Sequence, residues 1–209
     1  MTRSVIDPIT RIEGHLRVEM EVENGVVTDA WMSGGCFRGM ELVVQDRTPE
    51  DAAHIVQRIC GVCPVSHAHA SSIAAEKAYG IEIPNNARII RNLIEGGQFL
   101  HSHILWFYTL AALDYVNPLN GLNANIADAY DLAQAAGTSM NTDLRALAQR
   151  LTTFAENGQM SIFSGNWWKN GAADTEFNLP AELDLICTAH YIEALTMQSK
   201  ASEICGLLG

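Results

Sequence analysis

The sequence predicts a mainly α protein, in which a bundle of long helices follows an N-terminal antiparallel β element. Apolar residues recur every three or four positions from Ile89 to Ala111, which is the spacing of one helix face. A second long helical pattern covers residues 180–208. The first helix would be about 45 Å long, and helices of that length pack as bundles rather than as small globules.

The β element is predicted to cover about residues 3–35. Apolar and charged residues alternate from Leu16 to Glu23, as they do in a strand with one buried face. Asn24-Gly25 is a pair that tight hairpin turns favour, and Val26 to Trp31 provides the returning strand. We therefore expect an antiparallel hairpin over residues 15–33.

Helical patterns account for the rest of the chain, so a helical bundle is predicted over about residues 39–209 as the continuation of one domain. Thr48-Pro49-Glu50-Asp51 has the residues of a helix start. Gly80 ends an alanine-rich helix, and Asn117-Pro118 ends the long one. The predicted segments are helices at 52–58, 65–79, 84–116, 127–136, 141–156 and 180–208, with an irregular loop at 164–177.

The composition argues against several classes of function. A formal net charge of −11 disfavours binding to nucleic acid or to an anionic membrane surface. The best apolar run, Ile104 to Leu113, is about half as long as a membrane span requires, and the N-terminus lacks the apolar stretch of a signal peptide. Five cysteines with irregular spacing do not suggest a disulfide framework. The apolar ending, Ile204 to Gly209, predicts a piece of a larger protein or a split subunit.

The strongest chemical signal is the stretch from Arg58 to His67, with the sequence RICGVCPVSH. Gly61 lets the backbone turn tightly between two cysteines, and Pro64 suits the first position of a helix. Cys63 would then lie at the helix N-terminus, where the partial positive charge favours a thiolate. His67 follows four residues later, so the two side chains share a helix face. The stretch therefore predicts soft ligands for a transition metal.

Cys60 and Cys63 alone leave three interpretations open, namely a metal site, a redox dithiol or a chance spacing. A thioredoxin-like dithiol follows a strand, whereas the residues before Cys60 are predicted to be helical. A small zinc site could add His67 and His69, although histidines two residues apart on a helix point in very different directions.

The remaining cysteines do not complete a four-thiolate site. Cys187 and Cys205 lie on the predicted last helix, roughly 27 Å apart, so they cannot share one metal. We expect both to be buried and unreactive, and Cys36 to be structural. A closed metal site therefore needs ligands from further polypeptide.

Several spaced motifs, in order along nearly the whole chain, resemble the N-terminal part of the large subunit of nickel–iron hydrogenases. The central motif is the cysteine stretch with His67. The others are DPITRIEGH at 7–15, FRGME at 37–41, HI at 103–104, FY at 107–108 and ALDY at 112–115. This resemblance implies an incomplete large-subunit fold and the reversible heterolytic oxidation of H2 to protons and electrons.

The resemblance also implies roles within the cysteine stretch. Cys60 would be a terminal thiolate on nickel, and Cys63 would bridge nickel and iron. The iron would carry carbonyl and cyanide ligands, which no sequence can reveal. His67 would donate a hydrogen bond to a sulfur of the site, although a lone helical histidine is more often structural. Arg58 would either interact with the cofactor or pair with an acid.

Two carboxylates acquire a role only through the resemblance. Glu13 lies between Arg11 and Arg17 in sequence, and by default it would be a solvated, salt-bridged strand residue. In the family the matching glutamate takes the proton released when H2 is split, so we predict that Glu13 is this base. Glu41 would by default be an exposed helix charge, and the motif match makes it a ligand of a magnesium ion near the site.

Two departures from the family pattern matter. Ser102 stands where many members have an acid between two histidines, which puts the assistance from that acid in doubt. The family's C-terminal CxxC motif, with two further thiolates, is absent from these 209 residues, as are the residues completing the magnesium site. The resemblance therefore implies two partners, an iron–sulfur small subunit that receives electrons and a chain supplying the C-terminal half of the large subunit.

Two other functions stay open on the sequence alone. One is a non-catalytic helical module with a structural Cys/His zinc-type site. The other is a relative that lost catalysis, against which the retention of Cys60 and Cys63 argues. The compartment also stays open, because membrane-associated periplasmic members of the family travel on a signal carried by the small subunit.

Overall fold

The computed structural model describes residues 2–161 and 179–208. The chain divides into two compact units, which comprise residues 1–91 and residues 92–209. Helices predominate after an N-terminal antiparallel sheet, so the predicted mainly α class is confirmed. Among the helices in the described part of the chain, none is both long and apolar enough to cross a bilayer.

A three-stranded antiparallel sheet opens the first unit, in the order β1 (Thr2–Ile6), β2 (Leu16–Glu23) and β3 (Val26–Gly34). Asn24 and Gly25 have positive φ angles of 51° and 81°, which a two-residue hairpin turn needs. The predicted hairpin is therefore confirmed. β1 pairs with the other edge of β2, so residues 7–15 form the loop that joins these two strands.

The helices of the first unit include α1 (Met40–Val43), α2 (Pro49–Val56) and α3 (Pro64–Tyr79). Thr48 caps α2, because its hydroxyl accepts a hydrogen bond from the Asp51 amide at 3.2 Å. The helix predicted at 52–58 ends early, since a 3₁₀ turn replaces it at Gln57–Ile59 and Cys60 is extended. α2 packs against α3, so the cysteine turn connects two packed helices.

The long helix predicted at 84–116 is regular over only part of that length. α4 spans Asn85–Leu105, and the backbone then forms a π-helix at Trp106–Ala111 and a 3₁₀ turn at Ala112–Asp114. The predicted end is close to the observed one, but the prediction of one continuous α-helix is wrong. Hydrophobic spacing does not detect the change, because a π turn lengthens the hydrogen-bonding interval by a single residue.

The second unit is built around α5 (Ile126–Ala135), α6 (Leu144–Glu156) and α7 (Ala181–Leu208). These helices confirm the three predicted in this region, although α6 begins later than expected. Their buried faces form one core, whose least exposed members are Ala129, Leu144, Leu185 and Ala189. The irregular loop predicted at 164–177 lies outside the described residues.

A buried carboxylate ties residues 117–120 to α7. Asp184 is only 2% exposed, and its oxygens accept hydrogen bonds from the Asn117 amide at 2.9 Å and the Asn120 side-chain amide at 2.7 Å. Burial raises the pKa of this carboxyl despite both bonds. Gly121 packs so closely that a Cβ there would lie 3.1 Å from the Leu185 nitrogen. Asp184 thus accepts hydrogen bonds from polar groups that would otherwise have no partner beside the apolar core.

Replacing Asp184 by alanine is expected to destabilise the protein by about 2–4 kcal/mol, because donors on Asn117 and Asn120 lose their buried acceptor. Chemical denaturation of the purified protein measures this change in the free energy of unfolding. Asp131→Ala removes an exposed carboxylate from α5 and should change the free energy by less than about 0.5 kcal/mol. Equal stability of the two variants would contradict the role of Asp184.

Candidate metal centre

The junction between α2 and α3 brings three potential metal ligands together. Cys60 is an extended residue after the 3₁₀ turn, Cys63 is the N-cap residue of α3, and His67 lies about one turn into that helix. The two sulfur atoms and a ring nitrogen of His67 all lie within 4.8 Å of one another. Within residues 2–161 and 179–208, no other set of three or more His, Cys, Asp or Glu side chains converges in this way.

The local sequence explains this arrangement. Pro64 occupies the first position of α3, where the lack of a backbone N–H has no cost. The amide of the preceding residue, Cys63, donates a hydrogen bond to the Cys60 sulfur at 3.2 Å. His67 follows Cys63 by one helical turn and therefore lies on the same face of α3. The predicted N-terminal position of Cys63 is confirmed.

The protein groups around Cys63 disfavour ionisation of its thiol. Burial, the neighbouring Cys60 sulfur and the negative charge of Glu13 raise the pKa of Cys63 to about 11, with burial the largest cause. A backbone hydrogen bond at Cys63 lowers the pKa, in the direction predicted for the helix N-terminus, but the other causes outweigh it, so the protein groups alone do not favour the thiolate. A cation between the sulfurs would reverse the balance, because coordination deprotonates a thiol.

Glu13 lies in the loop between β1 and β2, in the same unit as both cysteines. Its charge is one cause of the raised pKa of Cys63, so the carboxylate lies within electrostatic range of that sulfur. The residue is exposed, and it occupies a loop rather than the strand face that the alternating pattern suggested. Gly14 follows with a positive φ of 84°, which favours glycine where the chain turns.

Arg58 and Glu41 are not members of the convergent group. Arg58 belongs to the 3₁₀ turn and Glu41 to the first turn of α1, and both are exposed. Sequence reasoning gave no role to Arg38, whose guanidinium donates hydrogen bonds to the backbone oxygens of Arg58, at 2.9 Å, and Ile59. These bonds hold the residues immediately before Cys60, and the FRGME motif was the sequence signal that could have drawn attention to Arg38.

His69 does not join the group, which argues against a four-ligand zinc site with both histidines. It lies near Glu76, whose pKa is lowered mainly by the hydrogen bond from Arg91 and in part by His69. Cys187 and Cys205 are half-buried rather than buried as predicted, and burial raises the pKa of both thiols, which fits the predicted lack of reactivity.

The sequence also raised expectations for Cys36 and Ser102. Cys36 is exposed, so its surroundings do not fit the packing role expected of a structural thiol. Ser102 is half-buried in α4, and its hydroxyl accepts a hydrogen bond from the Gln98 side-chain amide at 2.8 Å. The Ser102 hydroxyl is therefore engaged within its own helix.

Two thiols and an imidazole that converge at the start of a helix, in a mainly α protein, define a candidate transition-metal protein. Comparison with known proteins identifies its family. A family model described as nickel-dependent hydrogenase matches residues 38–209, and one described as HoxL-like matches residues 3–33. The chain belongs to the nickel-dependent hydrogenase family.

Individual relatives are large subunits of hydrogenases. The chain is 43% identical over 210 residues to the Hydrogenase-2 large chain of Escherichia coli and 41% identical over 212 residues to the uptake hydrogenase large subunit of Rhodobacter capsulatus. The alignments cover 99% of this chain but only 36% and 35% of the two relatives, respectively. The chain thus spans about a third of their length, and it matches the N-terminal part of the large subunit, as predicted.

Solved structures give the same result for the fold. The Ni-Fe-Se hydrogenase of D. vulgaris Hildenborough matches 100% of this chain and 34% of its own, with a TM-score of 0.60 and 37% identity. The enzyme of Dm. baculatum matches 100% of this chain and 35% of its own, with a TM-score of 0.61 and 36% identity. The predicted hydrogenase large-subunit fold is therefore confirmed.

Proposed function

We propose that the complete protein oxidises H2 reversibly, by heterolytic cleavage to protons and electrons, at a nickel–iron centre held in part by Cys60 and Cys63. The observation that carries this proposal is the convergence of the two sulfurs and the His67 nitrogen within 4.8 Å, in a chain of the nickel-dependent hydrogenase family. When bound, the centre supplies the Lewis acid and the redox couple for cleaving H2.

The donor set fits such a centre. Thiolates are soft ligands that suit nickel and iron better than carboxylates do. Cys60 is proposed as a terminal ligand of nickel and Cys63 as the bridge between nickel and iron, with carbonyl and cyanide as further ligands of the iron. His67 is proposed to donate a hydrogen bond to a sulfur, and its ring nitrogen lies within 4.8 Å of both. Such a bond would fix the sulfur and tune its basicity.

Glu13 is proposed as the base that takes up the proton released from H2. A general base has to come within hydrogen-bond reach of the proton that it removes. The electrostatic effect of Glu13 on Cys63 supports a position close to the sulfurs. Because the residue is exposed, its carboxylate can pass the proton on to water or to another acceptor.

Glu41 is proposed as a magnesium ligand, and Arg58 as a residue that interacts with the cofactor. Carboxylate oxygens are hard ligands, which Mg²⁺ prefers. Glu41 follows Arg38 by three residues, and Arg38 binds the backbone oxygens of Arg58 and Ile59. This connection supports a location of Glu41 near the turn that carries Cys60.

The proposed centre requires two further components. The remaining two thiolates are proposed to come from a C-terminal CxxC pair on further polypeptide, in keeping with relatives of which this chain covers only 36%. Electrons are proposed to leave through iron–sulfur clusters on a small subunit. In the described part of this chain two cysteines converge, whereas such a cluster is typically held by four.

Elemental analysis of the purified complete protein tests this proposal against a non-catalytic module with a structural zinc-type site. That alternative draws on the same three residues, because thiolates and imidazole are also zinc ligands. We expect nickel and iron in the protein, together with H2-dependent reduction of an artificial electron acceptor. Zinc without nickel, in a protein that does not react with H2, would support the module instead.

A further inference from the structure

The loop that carries Glu13 is closed at its base by a pair of side chains. Asp7 follows β1 and His15 precedes β2, and the Nε2 atom of His15 lies 2.5 Å from Oδ1 of Asp7. Because an ionised carboxylate can only accept, His15 Nε2 carries the hydrogen in this bond. The backbone closes the loop as well, since the Ile9 amide donates to the Leu16 oxygen at 2.8 Å.

A second side chain, Arg17, also binds the Asp7 carboxylate. Its other oxygen, Oδ2, lies 3.2 Å from a guanidinium nitrogen of Arg17, and the Nε of Arg17 donates to Glu19 at 2.8 Å. The bond from His15 is the largest cause that lowers the pKa of Asp7, and Arg17 lowers it further. Asp7 is therefore ionised at neutral pH and keeps its role as acceptor.

His15 is fixed by the end of the third strand. The Gly35 amide donates to the backbone oxygen of His15 at 2.7 Å. A Cβ atom on Gly35 would lie 3.2 Å from both Cβ and Cγ of His15, which is closer than ordinary van der Waals contact. A side chain at position 35 would therefore displace the His15 imidazole. Gly34 differs, because a Cβ there would meet no atom within 4 Å.

We propose that the Asp7–His15 pair, held in place by Gly35, positions the Glu13 carboxylate for proton transfer, which makes His15 a positioning residue. This inference rests on the proposed role of Glu13 as the base. Glu13 is exposed on this loop, so the closed base of the loop limits where its carboxylate can be. Displacement of a reacting group by about 1 Å can cost about 100-fold in rate.

The two adjacent glycines provide a matched test in the complete, metal-loaded protein. Gly35→Ala is expected to displace the imidazole, to speed amide hydrogen exchange at Ile9 and to lower H2 oxidation by at least about 10-fold. The nickel and iron contents should stay at the wild-type level, since both cysteines are untouched. Gly34→Ala adds the same methyl group in open space. This variant should match wild type in amide hydrogen exchange at Ile9, in H2 oxidation and in metal content.

Substitutions of His15 separate positioning from a general loss of structure. His15→Leu removes the donor to Asp7, whereas His15→Gln keeps an N–H donor and should restore most of the rate. We also expect the solvent deuterium isotope effect on turnover to rise in Gly35→Ala and His15→Leu, because proton transfer then limits the rate more strongly. A loss of structure alone would lower metal content and leave the isotope effect unchanged.

The outcomes distinguish this inference from the function on which it rests. If Glu13→Gln keeps normal turnover, Glu13 is not the base and the proposed proton acceptor fails. If Glu13→Gln is inactive but Gly35→Ala and His15→Leu keep the wild-type rate and isotope effect, the role of the Asp7–His15 pair is overturned. Loss of nickel in Gly35→Ala, or unchanged exchange at Ile9 in that variant, would overturn it as well.

Discussion

Glu13→Gln is expected to lower H2 turnover by at least about 100-fold while nickel and iron stay bound. Glutamine has nearly the shape of glutamate but cannot take up a proton at neutral pH, so the substitution removes the proposed base and little else. The loop that carries Glu13 is closed by groups on other residues, including Asp7 and His15. The fold and the metal content should therefore be preserved.

The measurement combines H2-dependent reduction of an artificial acceptor with elemental analysis of the same preparation. Glu23→Gln is a matched control, because it makes the same chemical change at an exposed residue at the end of β2. This control should keep wild-type turnover. Near-normal activity of Glu13→Gln would contradict the assignment of the base, whereas loss of nickel in that variant would assign the residue to metal binding instead.

Cys60→Ser and Cys63→Ser should each lower the affinity for nickel by more than about 100-fold, and turnover with it. Loss of a group that only supports a ligand already costs about 10–100-fold in metal affinity, and loss of the ligand itself costs more. Serine retains the size of cysteine, but its hydroxyl is a hard donor that ionises far less readily. Each variant also leaves only one sulfur in the converging group.

Nickel per protein, measured after gel filtration in the presence of a chelator, tests this prediction. Cys36→Ser is the control, because it makes the same substitution at an exposed cysteine outside the converging group. The control should retain its nickel. Full nickel occupancy in either Cys60→Ser or Cys63→Ser would contradict the proposed ligand set.

Local sequence predicted the features that depend on a few adjacent residues. Asn24-Gly25 specified the hairpin turn because both residues accept a positive φ, and Thr48 specified the start of α2 because its hydroxyl satisfies the Asp51 amide. The spacing of Cys63 and His67 predicted their convergence for the same reason, since one helical turn separates them. Such features follow from backbone geometry and need no tertiary information.

The features that sequence reasoning missed depend on residues far apart in the chain. Arg38 binds the backbone twenty residues away, and Asp184 binds Asn117 across sixty-seven residues. No periodic pattern marks either contact. The pKa of Cys63 illustrates the same limit, because burial and the neighbouring Cys60 and Glu13 outweigh the effect expected from the helix N-terminus. Burial, the largest of these causes, depends on the tertiary fold.

The regular apolar spacing also led to a wrong prediction of one continuous α-helix. The apolar pattern continues past Leu105, but the π-helix at Trp106–Ala111 changes the backbone without interrupting the pattern of side chains. Bulky aromatic residues occupy the first positions of that segment. A π turn differs from an α turn in its hydrogen bonds rather than in its composition, so the sequence predicted the extent of the helical path and not its geometry.

Nickel K-edge X-ray absorption spectroscopy of the complete protein tests the central claim, that Cys60 and Cys63 hold a nickel–iron centre. We predict a nickel atom with sulfur ligands and an iron neighbour, and a smaller number of sulfur ligands on any nickel retained by Cys60→Ser. A nickel shell of nitrogen and oxygen alone, or a protein that contains no nickel, would contradict the claim.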